Sequence, residues 1–203
     1  MQSFLQALRT QRWDDHRYYH HSRINQALHL LSALSFIAAY IALLADRPVA
    51  AALIAWLVAM TSRQSGHFFF EPKGYDEVNQ ATHEHKEDIK VGYNLRRKVV
   101  LLAIWALAPA VLWLDPTLLG LFPAHASGAQ FIHNVGMIWL AIGLGGLVFR
   151  TVHLFFLKDV QTGLVWLTKI VTDPFHDVYL YYKAPFYLLR GELIDPMAAA
   201  HRV

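Results

Sequence analysis

Four long apolar stretches constrain the fold of this 203-residue chain more than any other feature. Each stretch reaches the roughly 20 residues needed to cross a bilayer once its amphipathic ends are included. Inside lipid, backbone amides and carbonyls must find hydrogen-bond partners within the protein, which favours helices for stretches of this kind. We therefore predict an all-α integral membrane protein with four transmembrane helices. The predicted spans are about 26–45, 49–69, 99–114 and 133–157.

Positive charge predicts the orientation of these spans. Of the 18 Lys and Arg residues, 16 lie before the first span, in the last turns of span two or the loop that follows it, or after span four. Arg47 is in the first short loop, and Arg150 is inside span four. Loops rich in Lys and Arg stay in the cytoplasm, so we expect both termini and the 63–98 loop to be cytoplasmic. The membrane would be the bacterial inner membrane, or the endoplasmic reticulum of a eukaryote.

The basic character of the chain fits a partnership with lipid. A pI near 9.2 follows from the cytoplasmic Lys and Arg, which would attract anionic head groups. We expect a bilayer and a lipid or fatty-acid substrate as partners, and no nucleic acid.

We predict a single membrane domain, 1–203, with an interfacial helix at each end. Residues 2–24 combine apolar and charged side chains and lead into the first span. In the C-terminal segment, 159–203, apolar residues recur every three or four positions from Val160 to Val171, which indicates an amphipathic helix lying at the interface. Because proline disrupts helix interiors, we expect this helix to end at Pro174.

Histidine is the most informative residue type for function, with twelve copies in the chain. His20 and His29 lie at the cytoplasmic start of span one, and His67 lies at the cytoplasmic end of span two. Neutral imidazole is the commonest metal ligand, and ionisable groups at membrane depth are costly unless they serve a site. The sequence therefore predicts a metal centre formed by these three histidines at the cytoplasmic face.

Helical spacing indicates how this centre would be arranged. Asn25 and His29 are four residues apart and share a helix face, as do His67 and Glu71. His20 lies nine residues before His29 and would need a kink or a non-helical start to join it. We predict that Asn25 and Glu71 orient the imidazoles. Nitrogen and oxygen ligands without a thiolate, in a chain that has no cysteine, match mononuclear non-haem iron(II), Fe²⁺, with open positions for dioxygen and substrate.

Further residues are candidates for a wider site. Arg150 either extends its charge to the interface or pairs with a substrate carboxylate. His83 and His85 are either part of a solvated loop or a second set of ligands. The histidines that could supply additional metal ligands are His21, His83, His85, His153 and His176.

Two segments within residues 18–75 resemble the membrane-bound 2-hydroxy fatty acid dioxygenases of fatty-acid alpha-oxidation. That family has a His, an Asn five residues later and a second His four residues after that, at the entrance of a transmembrane helix. It also has a Gly-His pair at the end of a later helix, followed by an acidic residue. Here the two patterns read His20, Asn25 and His29, and Gly66, His67 and Glu71. The resemblance implies an iron(II) enzyme that uses dioxygen to shorten a 2-hydroxy fatty acid by one carbon.

Other functions remain open at this point. A di-iron membrane hydroxylase or desaturase would also use His83, His85, His153 and His176. A b-type cytochrome subunit would ligate haem with His29 and His153 between two spans. A purely structural or transport role is the third alternative.

Overall fold

The computed structural model describes residues 2–71, 74–92 and 95–197, and this part of the chain is helical. It contains two isolated β-bridges and no strand within those ranges, which confirms the all-α prediction for them. The elements are α1 (Phe4–Tyr19), α2 (Arg23–Leu44), α3 (Pro48–Ile54), the π-helical segment π1 (Ala55–Met60), α4 (Thr61–Ser65), the π-helical segment π2 (Gly66–Phe70), α5 (His83–Ile89), α6 (Leu95–Leu114), α7 (Gly128–Leu157), α8 (Val160–Tyr181) and α9 (Ala184–Leu189).

In the part of the chain that the structure describes, three helices are long and apolar enough to cross a membrane. They are Arg23–Leu44, Arg97–Leu114 and Gly128–Leu157. The predicted second span falls on the consecutive segments α3, π1, α4 and π2, so the count of four spans stays a prediction. Helix α7 begins before the predicted 133 because the Ser127 side chain caps it, accepting a hydrogen bond from Gln130 N at 3.3 Å.

Three tryptophans form the centre of the apolar core. The ring centroids of Trp56 and Trp105 are 5.4 Å apart, and those of Trp105 and Trp139 are 5.3 Å apart. Trp56 Nε1 donates to Trp139 O at 2.9 Å, and Trp139 Nε1 donates to Trp105 O at 3.0 Å. Because buried indole N–H groups need acceptors, these bonds fix how π1, α6 and α7 pack together. The outward faces of α6 and α7 leave large apolar side chains uncovered, as expected of surfaces that contact lipid.

A break in the helix at His20 and His21 separates α1 from α2. The C-terminal segment covers this break: Arg23 N donates to Leu193 O at 2.9 Å, and Asp195 N donates to His21 O at 2.8 Å. The Arg23 guanidinium also forms an ion pair with Asp195 at 2.9 Å. The non-helical start that His20 needed in order to face His29 is therefore present.

The prediction that the C-terminal amphipathic helix ends at Pro174 is wrong. Helix α8 continues to Tyr181, with Pro174 buried inside it. Lys169, Asp173, Asp177 and Tyr181 follow one another at four-residue intervals, and all four are buried. The polar contacts of the last turns offset the backbone hydrogen bond that proline removes. The polar face of α8 therefore contacts α1, α2 and α4.

Candidate metal centre

His20, His29 and His67 come together in the interior of the protein. One potential ligand nitrogen from each lies within 4.8 Å of the other two. The ring centroids of His20 and His29 are 3.9 Å apart, and those of His29 and His67 are 5.0 Å apart. All three side chains are buried. Within the described residues, this is the one group of three or more His, Asp or Glu side chains that meets such a distance criterion.

Three different local structures deliver these histidines. His20 lies in the break before α2, His29 is in the second turn of α2, and His67 is in π2. Gly66 allows π2 to approach α2 closely, because a Cβ at this position would collide with Asn25 Oδ1 and reach 3.4 Å from His29 Cδ2. Glycine is therefore required here by the close approach of two elements.

Hydrogen bonding determines which nitrogens are free for a metal. His67 Nδ1 lies 2.8 Å from Glu71 Oε2, so the carboxylate accepts the Nδ1 proton and leaves Nε2 with its lone pair. His20 Nε2 and both ring nitrogens of His29 have no hydrogen-bond partner among the described residues. Buried polar atoms without partners are costly, and a divalent cation would satisfy these lone pairs. The donor set fits a transition metal that accepts imidazole.

The predicted roles of Glu71 and Asn25 have different outcomes. Glu71 contacts the imidazole of His67 and is itself held by Lys90 Nζ at 3.2 Å. Asn25 instead donates from Nδ2 to Tyr19 O at 2.7 Å, which fixes the end of α1, and its Oδ1 has no partner within the described part of the chain. In this structure Asn25 shapes the backbone around His20 rather than bonding to an imidazole.

Tyr181 links two histidines. Its hydroxyl lies 3.1 Å from Nδ1 of His16 and 3.1 Å from Nδ1 of His20. Burial lowers the pKa of His16 from 6.5 to about 4, and burial, together with neighbouring His29, lowers the pKa of His20 well below its usual range. Both rings are therefore neutral near pH 7. If His20 ligates through Nε2, its Nδ1–H donates to Tyr181, which in turn donates to His16 Nδ1.

A buried ionic network surrounds the histidines. Lys169 Nζ contacts Asp15 at 2.9 Å and Asp173 at 2.5 Å, and Arg63 contacts Asp177 at 3.3 Å. Burial alone would raise the pKa of Asp15, but Lys169 outweighs this and holds it well below its usual range. Asp15 is therefore a carboxylate, 4.0 Å from Nδ1 of His20.

This network was not predicted from the sequence. A usable signal was present in the regular four-residue spacing of Lys169, Asp173, Asp177 and Tyr181, which places all four on one face of a helix. The expected helix end at Pro174 concealed it.

The other candidate ligands lie outside the group of three. His21 Nδ1 is 3.9 Å from Asp76 Oδ2. His83 and His85 are exposed on α5, and His176 is half-buried on α8. His153 Nδ1 is 3.3 Å from Nη1 of Arg150, whose other terminal nitrogen donates to the carbonyls of Val91 and Gly92 at 2.6 and 3.2 Å. Arg150 therefore holds the loop that contains those two carbonyls.

Comparisons with protein-family models, with curated proteins and with solved structures found no match for this chain. The resemblance to 2-hydroxy fatty acid dioxygenases stays a prediction based on the two short patterns.

Proposed function

We propose that the protein is a membrane-bound, iron(II)-dependent oxygenase that cleaves a 2-hydroxy fatty acid and shortens it by one carbon. The observation that carries the proposal is the buried group of His20, His29 and His67, in which one potential ligand nitrogen from each ring lies within 4.8 Å of the other two. Three neutral nitrogen donors leave further positions on iron for substrate and dioxygen. The resemblance described above supplies the substrate class.

The reaction is balanced without an external electron donor. A 2-hydroxy acid and one dioxygen molecule give the acid with one carbon fewer, carbon dioxide and water. The carbon bearing the hydroxyl becomes the new carboxyl carbon, and the bond between it and the old carboxyl group breaks. The substrate loses four electrons, and these reduce dioxygen completely.

Different residues would have different roles in this reaction. His20, His29 and His67 would hold iron, which supplies Lewis acidity and access to dioxygen. Glu71 accepts the Nδ1 proton of His67 and keeps Nε2 directed at the metal, and Tyr181 does the same for His20.

We further propose a fourth span and a cytoplasmic site. Because each of its two π-helical turns takes up about one residue without adding length, the run α3–π2, from Pro48 to Phe70, would be about 32 Å long at a helical rise of 1.5 Å per residue. This is enough to cross a bilayer core. Both termini and the loop after π2 would then lie in the cytoplasm with the histidines. Trp56 would hold this fourth helix against α6 and α7 through its ring contact with Trp105 and its hydrogen bond to Trp139 O.

Metal content and oxygen consumption test the proposal together. Purified protein should contain one iron per chain and consume one dioxygen for each 2-hydroxypalmitate cleaved. His29→Ala and His67→Ala should abolish both, whereas Glu71→Gln should weaken iron binding about 10–100-fold. His133→Ala, which changes an exposed histidine, is the matched control. Full iron occupancy in both ligand variants would refute the assignment.

Metal stoichiometry and an optical spectrum separate the two rival functions, one an enzyme and the other a cytochrome subunit. A di-iron hydroxylase would contain two irons per chain and would need an electron donor. A b-type cytochrome would show a Soret band. We favour the mononuclear centre because the rings of His20 and His67, with centroids 3.9 and 5.0 Å from that of His29, occupy the space that a haem plane would need.

A further inference from the structure

A cavity of about 400 Å³ opens beside His67 and extends between the helices of the bundle. This size falls within the range of about 300–1,000 Å³ typical of small-molecule sites. The end next to the histidines is lined by four cationic and two acidic side chains, and the far end is apolar. The charged residues are Arg63, Lys90, Lys98, Lys169, Asp14 and Asp15. The apolar part of the wall includes Trp56, Leu101, Leu102, Ile142, Gly143 and Leu147.

Most of the cations at the polar end already have carboxylate partners. Arg63 pairs with Asp177, and Lys169 pairs with Asp15 and Asp173. Lys90 contacts Glu71 and Glu87, both at 3.2 Å.

Lys98 is the exception. It lines the cavity from the first turns of α6, and no carboxylate among residues 2–71, 74–92 and 95–197 forms an ion pair with it. Lys98 is half-buried, and the two carboxylates that act on it from a distance, Glu71 and Asp15, are themselves paired with Lys90 and Lys169. A further anion in the cavity would therefore stabilise the charge of Lys98.

Arg150, the residue that the sequence indicated for this role, serves the cavity indirectly. Its bonds to Val91 O and Gly92 O hold two residues that form part of the cavity wall. Its Nη2 is thus committed to the backbone.

We propose that this cavity binds a single-chain lipid carboxylate, with its head paired to Lys98 and its chain between π1, α6 and α7. The wall supports one narrow chain, because α7 presents glycine at 143 to the cavity opposite Trp56. The carboxylate then lies near His67, where a metal could reach the adjacent carbon. The choice of a carboxylate head group rests on the proposed function. Lipid binding in the cavity can nevertheless be measured without iron or dioxygen.

The head group is tested by competition on metal-free protein in detergent. A fluorescent 16-carbon acid is displaced by hexadecanoate, hexadecyl phosphate or hexadecanol, with wild-type protein and with Lys98→Gln. Because Lys98→Gln removes the charge partner of the carboxylate, the affinity for hexadecanoate should fall about 30-fold or more. Hexadecanol should bind more weakly than the acid in wild-type protein and should not respond to the substitution. Lys158→Gln, at an exposed lysine after α7, is the matched control.

The position of the chain is tested with Gly143→Leu. A Cβ at this glycine meets nothing closer than 3.8 Å, the distance to Trp56 Nε1, so the backbone accepts a side chain whose outer atoms then fill the apolar end. We expect hexadecanoate to bind at least about tenfold more weakly while octanoate is little affected. An unchanged thermal midpoint shows that the variant is folded.

Three results would overturn the proposal: equal binding of hexadecanol and hexadecanoate, unaltered hexadecanoate binding in Lys98→Gln, or tighter binding of hexadecyl phosphate than of the carboxylate. If Gly143→Leu is misfolded, Leu147→Trp tests the same end of the cavity. Failure here would leave the iron content of the protein untouched. Conversely, if the protein binds no iron, it should still bind the lipid as described.

Discussion

The contact between Gly66 and Asn25 allows a sharp test of how the metal centre is assembled. In Gly66→Ala the new Cβ would occupy space held by Asn25 Oδ1, so either the amide or π2 must move. Overpacking of this kind typically lowers the free energy of unfolding by about 1–3 kcal/mol. Gly145→Ala, on α7, is the matched control because a Cβ there meets nothing within 4 Å.

Comparison of the two variants isolates the clash. Both replace glycine by alanine within a helix and should gain similar helix propensity, about 0.5–1 kcal/mol, so their difference reflects the packing alone. One kcal/mol corresponds to about 2–4 °C in thermal midpoint for a chain of this size. Metal-free Gly66→Ala should therefore unfold about 2–12 °C below metal-free Gly145→Ala. Tryptophan fluorescence in detergent measures both midpoints.

A double-mutant cycle identifies the atom responsible. The variant Asn25→Ala lacks the side-chain amide oxygen. In that background, Gly66→Ala should lower the free energy of unfolding by about 1–2 kcal/mol less than it does in the wild-type protein. Iron affinity provides a second readout, because moving π2 away from α2 separates His67 from His29. We expect Gly66→Ala to weaken iron binding about tenfold or more. A Gly66→Ala protein that matches Gly145→Ala in both midpoint and iron affinity would refute this account of the site.

Three further predictions use other contacts. Tyr181→Phe removes the acceptor for an imidazole proton and should weaken iron binding about 10–100-fold in a metal titration, whereas Tyr182→Phe should not. His16 stays neutral when folded down to about pH 4 but takes up a proton at about 6.5 when unfolded, so stability should fall by about 3 kcal/mol as the pH drops from 6.5 to 4. The midpoint of His16→Asn should depend less on pH in that interval, and equal slopes would contradict this. Reporters fused at either terminus or in the 74–95 loop should stay cytoplasmic, while one near residue 125 should be exported; a cytoplasmic signal at 125 would exclude the four-span topology.

Local spacing was sufficient to predict part of the centre. Asn25 and His29 share a face of α2, and His67 and Glu71 form the predicted i,i+4 contact at 2.8 Å. These relations depend on helix geometry within a few residues. The non-helical position of His20 also followed from spacing, since no continuous helix aligns residues nine apart on one face.

The surrounding polar groups could not be predicted in the same way. Tyr181 meets His20 across 161 residues of sequence, and that contact requires α8 to continue beyond Pro174. The general rule that proline disrupts helices predicts that α8 ends at Pro174. That rule omits the tertiary contacts that stabilise the last turns of α8. Similarly, the apolar run of the second predicted span gave no sign of its π-helical segments, because π and α turns share nearly the same hydrophobic pattern.

Those π-helical segments have a consequence for comparing this chain with its homologues. Each wide turn accommodates about one residue more than an α-helix would over the same rise, and each residue rotates the following side chains by about 100°. Deleting one residue from Ala55–Met60 would turn His67 away from α2 without changing the hydrophobic length of the segment. A homologue that has lost such a residue should therefore also have lost the histidine that follows it, or have regained the phase by an insertion before Gly66. Insertions and deletions in 55–66 thus report on the metal centre as directly as substitutions of its ligands.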